Sequence, residues 1–382
     1  MSRALDGITV LDLSMNLPGP YMTWLLAQLG AEVVKIENPE GGDYARALGG
    51  GSSSPFFEAV NRNKKSVTIN LKHPEGRRLL LDLVDRYDIL VEGFRPGTME
   101  RLGLGFETMS QRNPRLIQVS ITGYGQDGPY RLRAGHDLNY LSLAGIIGMT
   151  GTKDGTPAIP GIQIADLAGG SLLALTGLLA AIIQREKTGK GQFIDTSMFH
   201  GSLSLATMVF AGIEGGFDLP GPGSMFLNGR FPCYGVYRTK DGSYMSLGAL
   251  EFKFWKNFCD ATGRDDLIGS QFGGAEIVSE VAQLFASRTK DEWVAIMQPA
   301  DACCEPVLGL DEAVQSPLVT SRNMVVTTSD GKRFLGSPLR MSASPHLEDV
   351  SSPDLGEHTR EVLGRLGLTE EQLDSLKAAG AI

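Results

Sequence analysis

The chain has 382 residues, of which 42% are hydrophobic and 21% are charged, and its formal net charge at pH 7 is −9. This length predicts two domains, and the composition is that of an ordinary globular protein. The acidic balance argues against nucleic-acid binding, which depends on Lys and Arg neutralising phosphates, although a local cluster of cations can still bind an anion.

The first segments of the chain alternate between strand and helix. Ile8–Leu13 and Val33–Ile36 are β-rich runs, and the helical stretch Tyr21–Leu29 lies between them. Such a βαβ unit predicts a parallel sheet. The loop after the first strand lacks the Gly-x-Gly-x-x-Gly pattern, so a dinucleotide enzyme is disfavoured, although Glu37 follows the second strand where a ribose ligand is expected.

The alternation continues through the first half of the chain. The further predicted strands are Ser66–Leu71, Ile89–Val91, Leu116–Ile121 and Gln192–Met198, and the predicted helices are Pro74–Arg86 and Asp166–Gln184. This spacing favours an open α/β sheet with helices on both faces. The near-apolar run Ser171–Ile183 is shorter than the roughly 20 residues of a membrane span, which favours a buried helix and no membrane association.

A change of composition predicts the domain boundaries. Residues 1–213 are expected to form an α/β domain, the Gly/Pro-rich residues 214–232 a linker, and residues 233–315 a smaller α+β domain, which is followed by a return segment over residues 316–382. In the smaller domain, Cys233–Arg238 and Tyr244–Gly248 predict a hairpin across Lys240-Asp241-Gly242. Helices are predicted at Glu251–Thr262, Val278–Ser287 and Lys290–Met297, the last with Thr289 as its N-cap.

The cysteines and the first residues bear on location. Cys233, Cys259, Cys303 and Cys304 form no Cys-x-x-Cys pair or Cys/His cluster, so neither a disulfide framework nor a metal site is indicated. The run Met1–Thr9 leads directly into a strand without a signal-peptide pattern. These features predict a cytoplasmic protein.

Two polar residues are candidates for the chemistry. His136 follows the polar, Gly-rich loop 123–133, and Asp166 stands at the head of a long apolar helix. An imidazole and a carboxylate on opposite sides of one carbon can pass a proton across it. The alternatives are a loop histidine that only maintains shape, and an aspartate that only caps its helix. Asp137 is interpreted as a structural residue of the loop.

Several short blocks in one order resemble the family III CoA-transferase superfamily, and within it the α-methylacyl-CoA racemases. The blocks are Leu17-Pro18-Gly19-Pro20, Leu29-Gly30-Ala31-Glu32-Val33-Val34-Lys35-Ile36-Glu37, Glu92-Gly93-Phe94-Arg95-Pro96-Gly97, Ala134-Gly135-His136-Asp137, Ala165-Asp166, Thr188-Gly189-Lys190-Gly191-Gln192, Asp301-Ala302-Cys303-Cys304-Glu305-Pro306-Val307 and Leu355-Gly356-Glu357-His358-Thr359. The resemblance covers nearly the whole chain. It implies a large α/β domain built from both chain ends and a homodimer of interlocked chains, with active sites between domains of the two chains.

The resemblance also implies roles for single residues. In the racemases, the positions of His136 and Asp166 are the two acid/base groups, and the position of Glu251 hydrogen-bonds the imidazole. The substrate is an acyl-CoA, and no cofactor beyond its CoA moiety is implied. The residues expected to bind CoA are Asn38, Ile69, Asn70, Leu71, Lys72, Arg95, Gly135, His136, Asp137 and Tyr140. Of these, Arg95 and Lys72 are the expected cations, and backbone amides near His136 and Asp137 are expected to stabilise an enolate oxygen.

Two readings of the reaction stay open. In the transferases, the residue matching Asp166 attacks the thioester and forms a covalent intermediate, and an aromatic residue usually stands at position 136. His136 therefore favours a racemase of 2-methylacyl-CoA thioesters. However, Asn38 replaces an arginine that the racemases use to bind the CoA phosphates, and the sequence at this position is more similar to that of the transferases. The basic residues Arg62, Lys64 and Lys65 either bind phosphate or form a solvated face.

Overall fold

The computed structural model describes residues 2–49, 54–219, 221–345 and 347–382. The chain divides into two compact units. The first consists of Met1–Ala144, Gly161–Ala206 and Leu318–Ile382, and the second of Gly145–Pro160 and Thr207–Pro317. The sequence-based division differs chiefly at Gly145–Pro160, which it assigned to the large domain. Pro220 of the predicted linker and His346 of the predicted return lie outside the described residues.

The first unit is built on a sheet of six parallel strands. These are β1 (Thr9–Asp12), β2 (Glu32–Glu37), β3 (Lys65–Thr68), β4 (Ile89–Glu92), β5 (Ile117–Thr122) and β6 (Phe193–Ser197). Their order across the sheet is β3-β2-β1-β4-β5-β6, and every neighbouring pair is parallel. Every residue of β4 and β5 is buried, as expected for a parallel sheet covered on both faces. The predicted open α/β sheet is therefore confirmed.

Helices of the first unit follow the strands. They are Pro18–Gln28, Pro55–Asn61, Pro74–Val84, Thr98–Arg101, Phe106–Arg112, Asp137–Leu143, Leu173–Thr188, Met198–Leu205, Thr359–Gly364 and Glu370–Ala378, with a 3₁₀-helix at Tyr44–Ala47 and a π-helix at Ala165–Leu172. Three of these helices begin at a proline, whose missing N–H has no partner to lose in a first turn. The apolar stripe of Pro74–Val84 (Leu79, Leu80 and Leu83) is fully buried in the core.

The predicted helix Asp166–Gln184 is longer than expected. Its π-helical first part continues into Leu173–Thr188, so the apolar helix runs without a break over Ala165–Thr188. The helix has 24 residues and contains an 18-residue window with a mean hydropathy of 1.8, so it is long and apolar enough to span a membrane. Of that window, 39% is buried in the protein. The sequence analysis expected an apolar run too short to span a membrane, and the length of the observed helix shows that this expectation was wrong. A single such helix is weak evidence for a membrane, because core helices have the same length and composition.

The second unit has its own antiparallel sheet and core. Strands β7 (Tyr234–Arg238), β8 (Tyr244–Gly248) and β9 (Cys304–Pro306) pair in that order, which confirms the predicted hairpin. The helices are Ile146–Met149, Thr207–Glu214, Phe252–Thr262, Ala275–Phe285, Lys290–Met297 and Leu310–Ala313, with a 3₁₀-helix at Asp265–Ser270. Thr289 caps its helix as predicted, because its hydroxyl accepts the Glu292 N–H at 3.3 Å.

The chain returns to the first unit through elements that the sequence did not predict. The helix Pro317–Thr320 lies at the boundary, and β10 (Val325–Thr327) and β11 (Arg333–Leu335) form a second antiparallel hairpin. After His358 the chain ends in the two helices Thr359–Gly364 and Glu370–Ala378.

Candidate active site

A cavity opens in the first unit at the point where the strand order reverses. The chain leaves β1 toward β2 on one side and leaves β4 toward β5 on the other, and open α/β sheets bind ligands in the crevice between such loops. The cavity has a volume of about 650 Å³. It is lined chiefly by residues of the segments 14–19, 93–96, 121–124 and 131–140, together with Asp166. The fold thus brings His136 and Asp166 to one cavity.

His136 lies at the entrance to a short helix. It is the N-cap of Asp137–Leu143, with an extended backbone (φ −129°, ψ 176°), and its side chain is exposed on the cavity wall. The His136 N–H donates to Oδ1 of Asn139 at 3.0 Å. This bond fixes the backbone from which the imidazole projects.

Tyr140 supports the segment that leads to His136. Its hydroxyl donates to the Gly135 carbonyl at 2.6 Å, and burial raises the pKa of this phenol, so it remains a donor. The Tyr140 ring also occupies the space beside two glycines: a Cβ at Gly123 or Gly135 would come within 2.6 or 2.7 Å of it. Tyr140 is buried and packs edge-on against Tyr124 at 5.2 Å between ring centroids. Both glycines are therefore required by the packing of one aromatic ring.

Asp166 lies in the first turn of the π-helix Ala165–Leu172. Short π-helical segments often occur at functional sites. A Cβ at Gly201 would lie 2.0 Å from the Gly169 carbonyl, so this helix and Met198–Leu205 pack backbone against backbone. The Ser171 hydroxyl lies 2.6 Å from the Pro18 carbonyl and 2.9 Å from that of Asp166, which ties the π-helix to the first residue of the helix Pro18–Gln28.

Asp137 joins the two candidate catalytic residues. Its Oδ1 accepts the N–H of Ala165 at 2.6 Å and that of Asp166 at 3.1 Å, so it caps the helix that carries Asp166. Burial, and to a smaller extent the nearby charge of Asp137, raise the pKa of Asp166 to about 7. A carboxyl group that titrates near neutral pH can both accept and return a proton. Asp137 therefore has the structural role predicted from the sequence and also an electrostatic effect on Asp166.

The raised pKa predicts how stability depends on pH. Between its ordinary value of 3.8 and about 7, Asp166 keeps its proton in the folded protein and loses it in the unfolded chain. The folded state then binds more protons, so the free energy of unfolding falls as pH rises through this window. Asp166→Asn removes the titration. We expect the variant to gain stability relative to the wild type between pH 4 and 7 and to keep a constant margin above, measured by urea unfolding at each pH. A margin that does not change with pH would contradict the raised pKa.

Three arginines make the cavity electropositive. Arg95, Arg131 and Arg133 line it, whereas Asp166 is the one acidic residue among the lining residues. Within the described ranges, none of the three forms an ion pair. Unpaired guanidinium groups in a cavity are suited to oxyanions such as phosphates. Arg95 was predicted from the sequence. Arg131 and Arg133 were not, because the loop 123–133 was considered only as a polar, Gly-rich segment.

The other residues expected to bind CoA lie elsewhere on the sheet. Asn38 follows β2, and Ile69 to Lys72 follow β3, on the far side of β1 from β4 and at the same carboxyl edge as the cavity. They are not among the residues that line it. Asn70 donates to the Gly380 carbonyl at 3.0 Å, and Ile69 is buried. A contact between these residues and a long ligand stays a prediction.

Glu251 belongs to the second unit. The helix was predicted to begin at Glu251 but begins at Phe252, so Glu251 is its N-cap, and the Glu251 side chain is exposed. The predicted bond from this carboxylate to the imidazole of His136 stays a prediction.

The basic residues Arg62, Lys64 and Lys65 were expected either to bind phosphate or to form a solvated face. Neither expectation is correct for Arg62 and Lys64. Arg62 and Lys64 are buried, and Nζ of Lys64 lies 3.1 Å from Oδ2 of Asp12, while Arg62 pairs with Asp349 at 2.9 Å. Lys65 pairs with Glu361 at 2.7 Å. Arg62 and Lys64 are therefore held by buried carboxylates, and Lys65 by a carboxylate on the surface.

Glu37 is likewise occupied. It is buried and receives two bonds from Arg46, at 2.7 and 2.8 Å, so it is not presented to a ribose.

Comparisons with known proteins agree with this architecture. The family model described as CoA-transferase family III matches residues 5–359. An acyl-CoA transferase of Fusarium pseudograminearum is 35% identical, over 99% of this chain and 88% of that protein. The α-methylacyl-CoA racemase of Homo sapiens is 34% identical, over 98% of this chain and 96% of that protein. Among solved structures, a CAIB/BAIF family protein from Brucella suis superposes with a TM-score of 0.84 at 28% identity, covering 96% of this chain and 100% of that one. Transferase and racemase relatives thus match about equally well.

Proposed function

This chain belongs to CoA-transferase family III, and we propose that it is a racemase of 2-methylacyl-CoA thioesters. The observation that carries the proposal is that His136 and Asp166 line one cavity, with the pKa of Asp166 raised to about 7. A racemase needs two groups that exchange a proton with the same carbon. The raised pKa brings a carboxyl group close to an imidazole in acidity, so either group can serve as acid or base.

In the proposed reaction, one of the two groups removes the α-proton and the other returns a proton to the opposite face. The breaking C–H bond leaves its electron pair in an enolate of the thioester, and the new C–H bond consumes that pair. The α-carbon is a far weaker acid than either side chain, and each pKa unit of mismatch costs about 1.4 kcal/mol. Two bases alone therefore do not suffice, and the enolate oxygen must be stabilised by donors that are already in place.

Of the two backbone amides expected to donate to the enolate oxygen, only one is free to do so within the described residues. The amides of both His136 and Asp137 were expected to serve, but the His136 N–H already donates to the side chain of Asn139. The Asp137 N–H has no acceptor in the part of the chain that the structure describes. As the first residue of a helix, it carries a donor that the helix itself does not use. We assign the enolate-stabilising role to this amide.

The cavity arginines support a CoA thioester as the substrate. Coenzyme A carries several phosphate groups, and Arg95, Arg131 and Arg133 present their guanidinium groups to the cavity that holds His136 and Asp166. The chain places Asn38 where the racemases carry a phosphate-binding arginine. Arg131 and Arg133 offer cations that compensate for this difference.

A CoA-transferase that forms a covalent intermediate at Asp166 is the second candidate. It is favoured by Asn38 and by the presence of relatives of both activities at similar identity. In that reaction the Asp166 carboxylate attacks the thioester carbonyl and releases the thiolate of CoA. His136 would then only position the substrate.

The remaining elements of the proposal concern assembly. We retain Glu251 as the partner of the His136 imidazole and an interlocked homodimer as the active form. Exposed apolar side chains on the helix Thr207–Glu214, such as Met208 at 76% and Phe210 at 63%, support burial against a second copy. The exposed Leu172, Leu173 and Ile183 of the long apolar helix support the same conclusion.

The first test is proton exchange in heavy water. We expect the enzyme, incubated with one enantiomer of a 2-methylacyl-CoA and no second acid, to incorporate one deuterium at the α-carbon with loss of enantiomeric excess, measured by mass spectrometry and chiral chromatography. A sample without enzyme is the control. If no deuterium enters, but hydroxylamine traps an adduct at Asp166 once a carboxylic acid is added, the protein is a transferase.

A further inference from the structure

A buried carboxyl group beside the cavity has no part in the proposed reaction. Glu92 is the last residue of β4 and is 3% exposed. Within the described residues it forms no ion pair, and the charges that influence it, Glu100 and Asp195, have the same sign. Burial, followed by these charges, raises the pKa of Glu92 to about 7. Burying a carboxyl group without a neighbouring cation costs free energy, so the presence of an acid at this position calls for a reason.

The hydrogen bonds of Glu92 reach two loops of the cavity wall. Its Oε2 accepts the Phe94 N–H at 2.8 Å, and its carboxyl group is also hydrogen-bonded to the hydroxyl of Ser120, the residue opposite it on β5. The Ser120 hydroxyl in turn accepts the side-chain N–H of Gln126 at 2.6 Å, and the Gln126 backbone N–H donates to Asp195 at 3.0 Å. The carboxyl group thus connects the turn after β4 with the loop after β5.

These two loops carry the three arginines of the cavity. Arg95 follows Phe94 directly, and Arg131 and Arg133 lie at the far end of the loop that contains Gln126. Arg95 lines the same cavity as Gly135, His136 and Tyr140. The turn at Phe94 therefore decides where a phosphate-binding cation stands.

The surroundings of Glu92 exclude a ligand site at the carboxyl group itself. The void bordered by Glu92, Arg95 and Gln126 measures about 10 Å³, at most the space of one water molecule. A carboxyl group that touches only backbone and hydroxyl partners acts through the geometry of its hydrogen bonds.

We propose that Glu92 is a positioning residue for phosphate recognition: by bracing the turn at Phe94 against β5, it holds Arg95 toward the phosphates of the substrate. The inference rests on the proposed CoA thioester substrate. Glutamine at this position keeps an oxygen that accepts the Phe94 N–H, whereas methionine fills similar space and accepts no such bond.

The test compares two ligands that differ in their phosphates. Binding of acetyl-CoA and of S-acetylpantetheine, which has no phosphate, is measured by titration calorimetry. Glu92→Met is expected to weaken acetyl-CoA binding about tenfold, the loss of roughly one charge-assisted hydrogen bond, and to leave S-acetylpantetheine binding within about twofold. Glu92→Gln is expected to restore most of the affinity for acetyl-CoA. In an Arg95→Ala background, Glu92→Met is expected to have little further effect, because it acts through Arg95.

Equal losses for both ligands, or an effect of Glu92→Met that adds fully to that of Arg95→Ala, would overturn the proposal, since either result describes a general loss of structure. If Glu92→Met does not fold, Ser120→Ala replaces it. That variant removes the hydroxyl between Glu92 and Gln126, and the same selective loss of about threefold is expected. A wild type that does not prefer acetyl-CoA to S-acetylpantetheine would overturn the proposed substrate and this inference with it. A wild type with that preference confines any failure to Glu92.

Discussion

Asp166→Asn is expected to abolish the exchange of the α-proton with heavy water. An amide of the same shape neither accepts nor returns a proton at neutral pH, and removal of a general acid/base costs about 10²- to 10⁴-fold in rate. His136→Ala is expected to lower the rate to a similar extent, because a racemase uses both groups in every turnover. The measurement is the rate of deuterium incorporation into 2-methylacyl-CoA, followed by mass spectrometry.

The two variants together separate the candidate reactions. In a transferase, Asp166→Asn is inactive, whereas His136→Ala retains the transfer of CoA from an acyl-CoA to a carboxylic acid. The chain offers a matched control in Asp127→Asn, the same substitution at an exposed position of the loop 123–133. This control is expected to exchange protons at the wild-type rate. Exchange that survives in Asp166→Asn would rule out the assigned role of that residue.

Asp12→Ala is expected to lower the free energy of unfolding by about 3–5 kcal/mol, the usual cost of removing one partner from a buried ion pair. Asp12 ends β1 and is completely buried, and its Oδ2 lies 3.1 Å from Nζ of Lys64 and 2.6 Å from the hydroxyl of Thr23. Lys35 is buried nearby, where it pairs with Asp43 at 2.8 Å. Removal of the aspartate leaves Lys64 without its carboxylate in a site that water does not reach.

The same site predicts a pH dependence. Burial alone would raise the pKa of Asp12, but Lys64 and Lys35 outweigh it and lower the pKa from 3.8 to about 2. An aspartate with a lowered pKa stabilises the fold above its unfolded value, and this contribution disappears as pH falls through that window. The difference between the wild type and Asp12→Ala is therefore expected to shrink as pH falls from 3.8 toward 2, measured by equilibrium urea unfolding.

An exposed aspartate provides the control for this measurement. Asp85 pairs with Arg112 on the surface, where its side chain is 40% exposed. Exposed pairs contribute about 0–1 kcal/mol, so Asp85→Ala is expected to change stability by no more than that. A loss in Asp12→Ala as small as that of Asp85→Ala would show that the buried carboxylate is not needed to compensate the lysines.

This internal charge cluster also shapes the cavity. Nζ of Lys35 donates to the Ser14 carbonyl at 2.7 Å, and Asp43 accepts the Asn16 N–H at 3.0 Å. Asn16 has a φ of 65°, a left-handed backbone that non-glycine residues seldom adopt. The buried ions thus hold the loop after β1 in the conformation that lines the cavity.

Local patterns in the sequence were sufficient for most of the sheet. The strands β1, β2, β4 and β5 are apolar runs at the spacing of βαβ units, and a parallel sheet follows from that alternation because each crossover needs a helix. The order of the strands does not follow from it, and neither does the crevice between β1 and β4. The unpredicted hairpin of β10 and β11 is short and lacks a strong alternation of apolar residues.

In the candidate site, too, some residues could be identified from the sequence and others only from the fold. His136, Asp166 and Arg95 could be identified from short motifs, since their neighbours in the chain carry the resemblance. Asp137 as the cap of the Asp166 helix, 28 and 29 residues away, could not.

The clearest contrast is at Lys64. The sequence shows a basic run that is typical of a surface, but the fold places Asp12, 52 residues away, against the lysine in a buried pair. The local structure around a residue is largely determined by its neighbours in the chain, so the sequence can predict it. The burial of a charge, its partner and the direction of its pKa depend on groups that only tertiary packing brings within a few ångströms, because electrostatic interactions become strong where water is excluded.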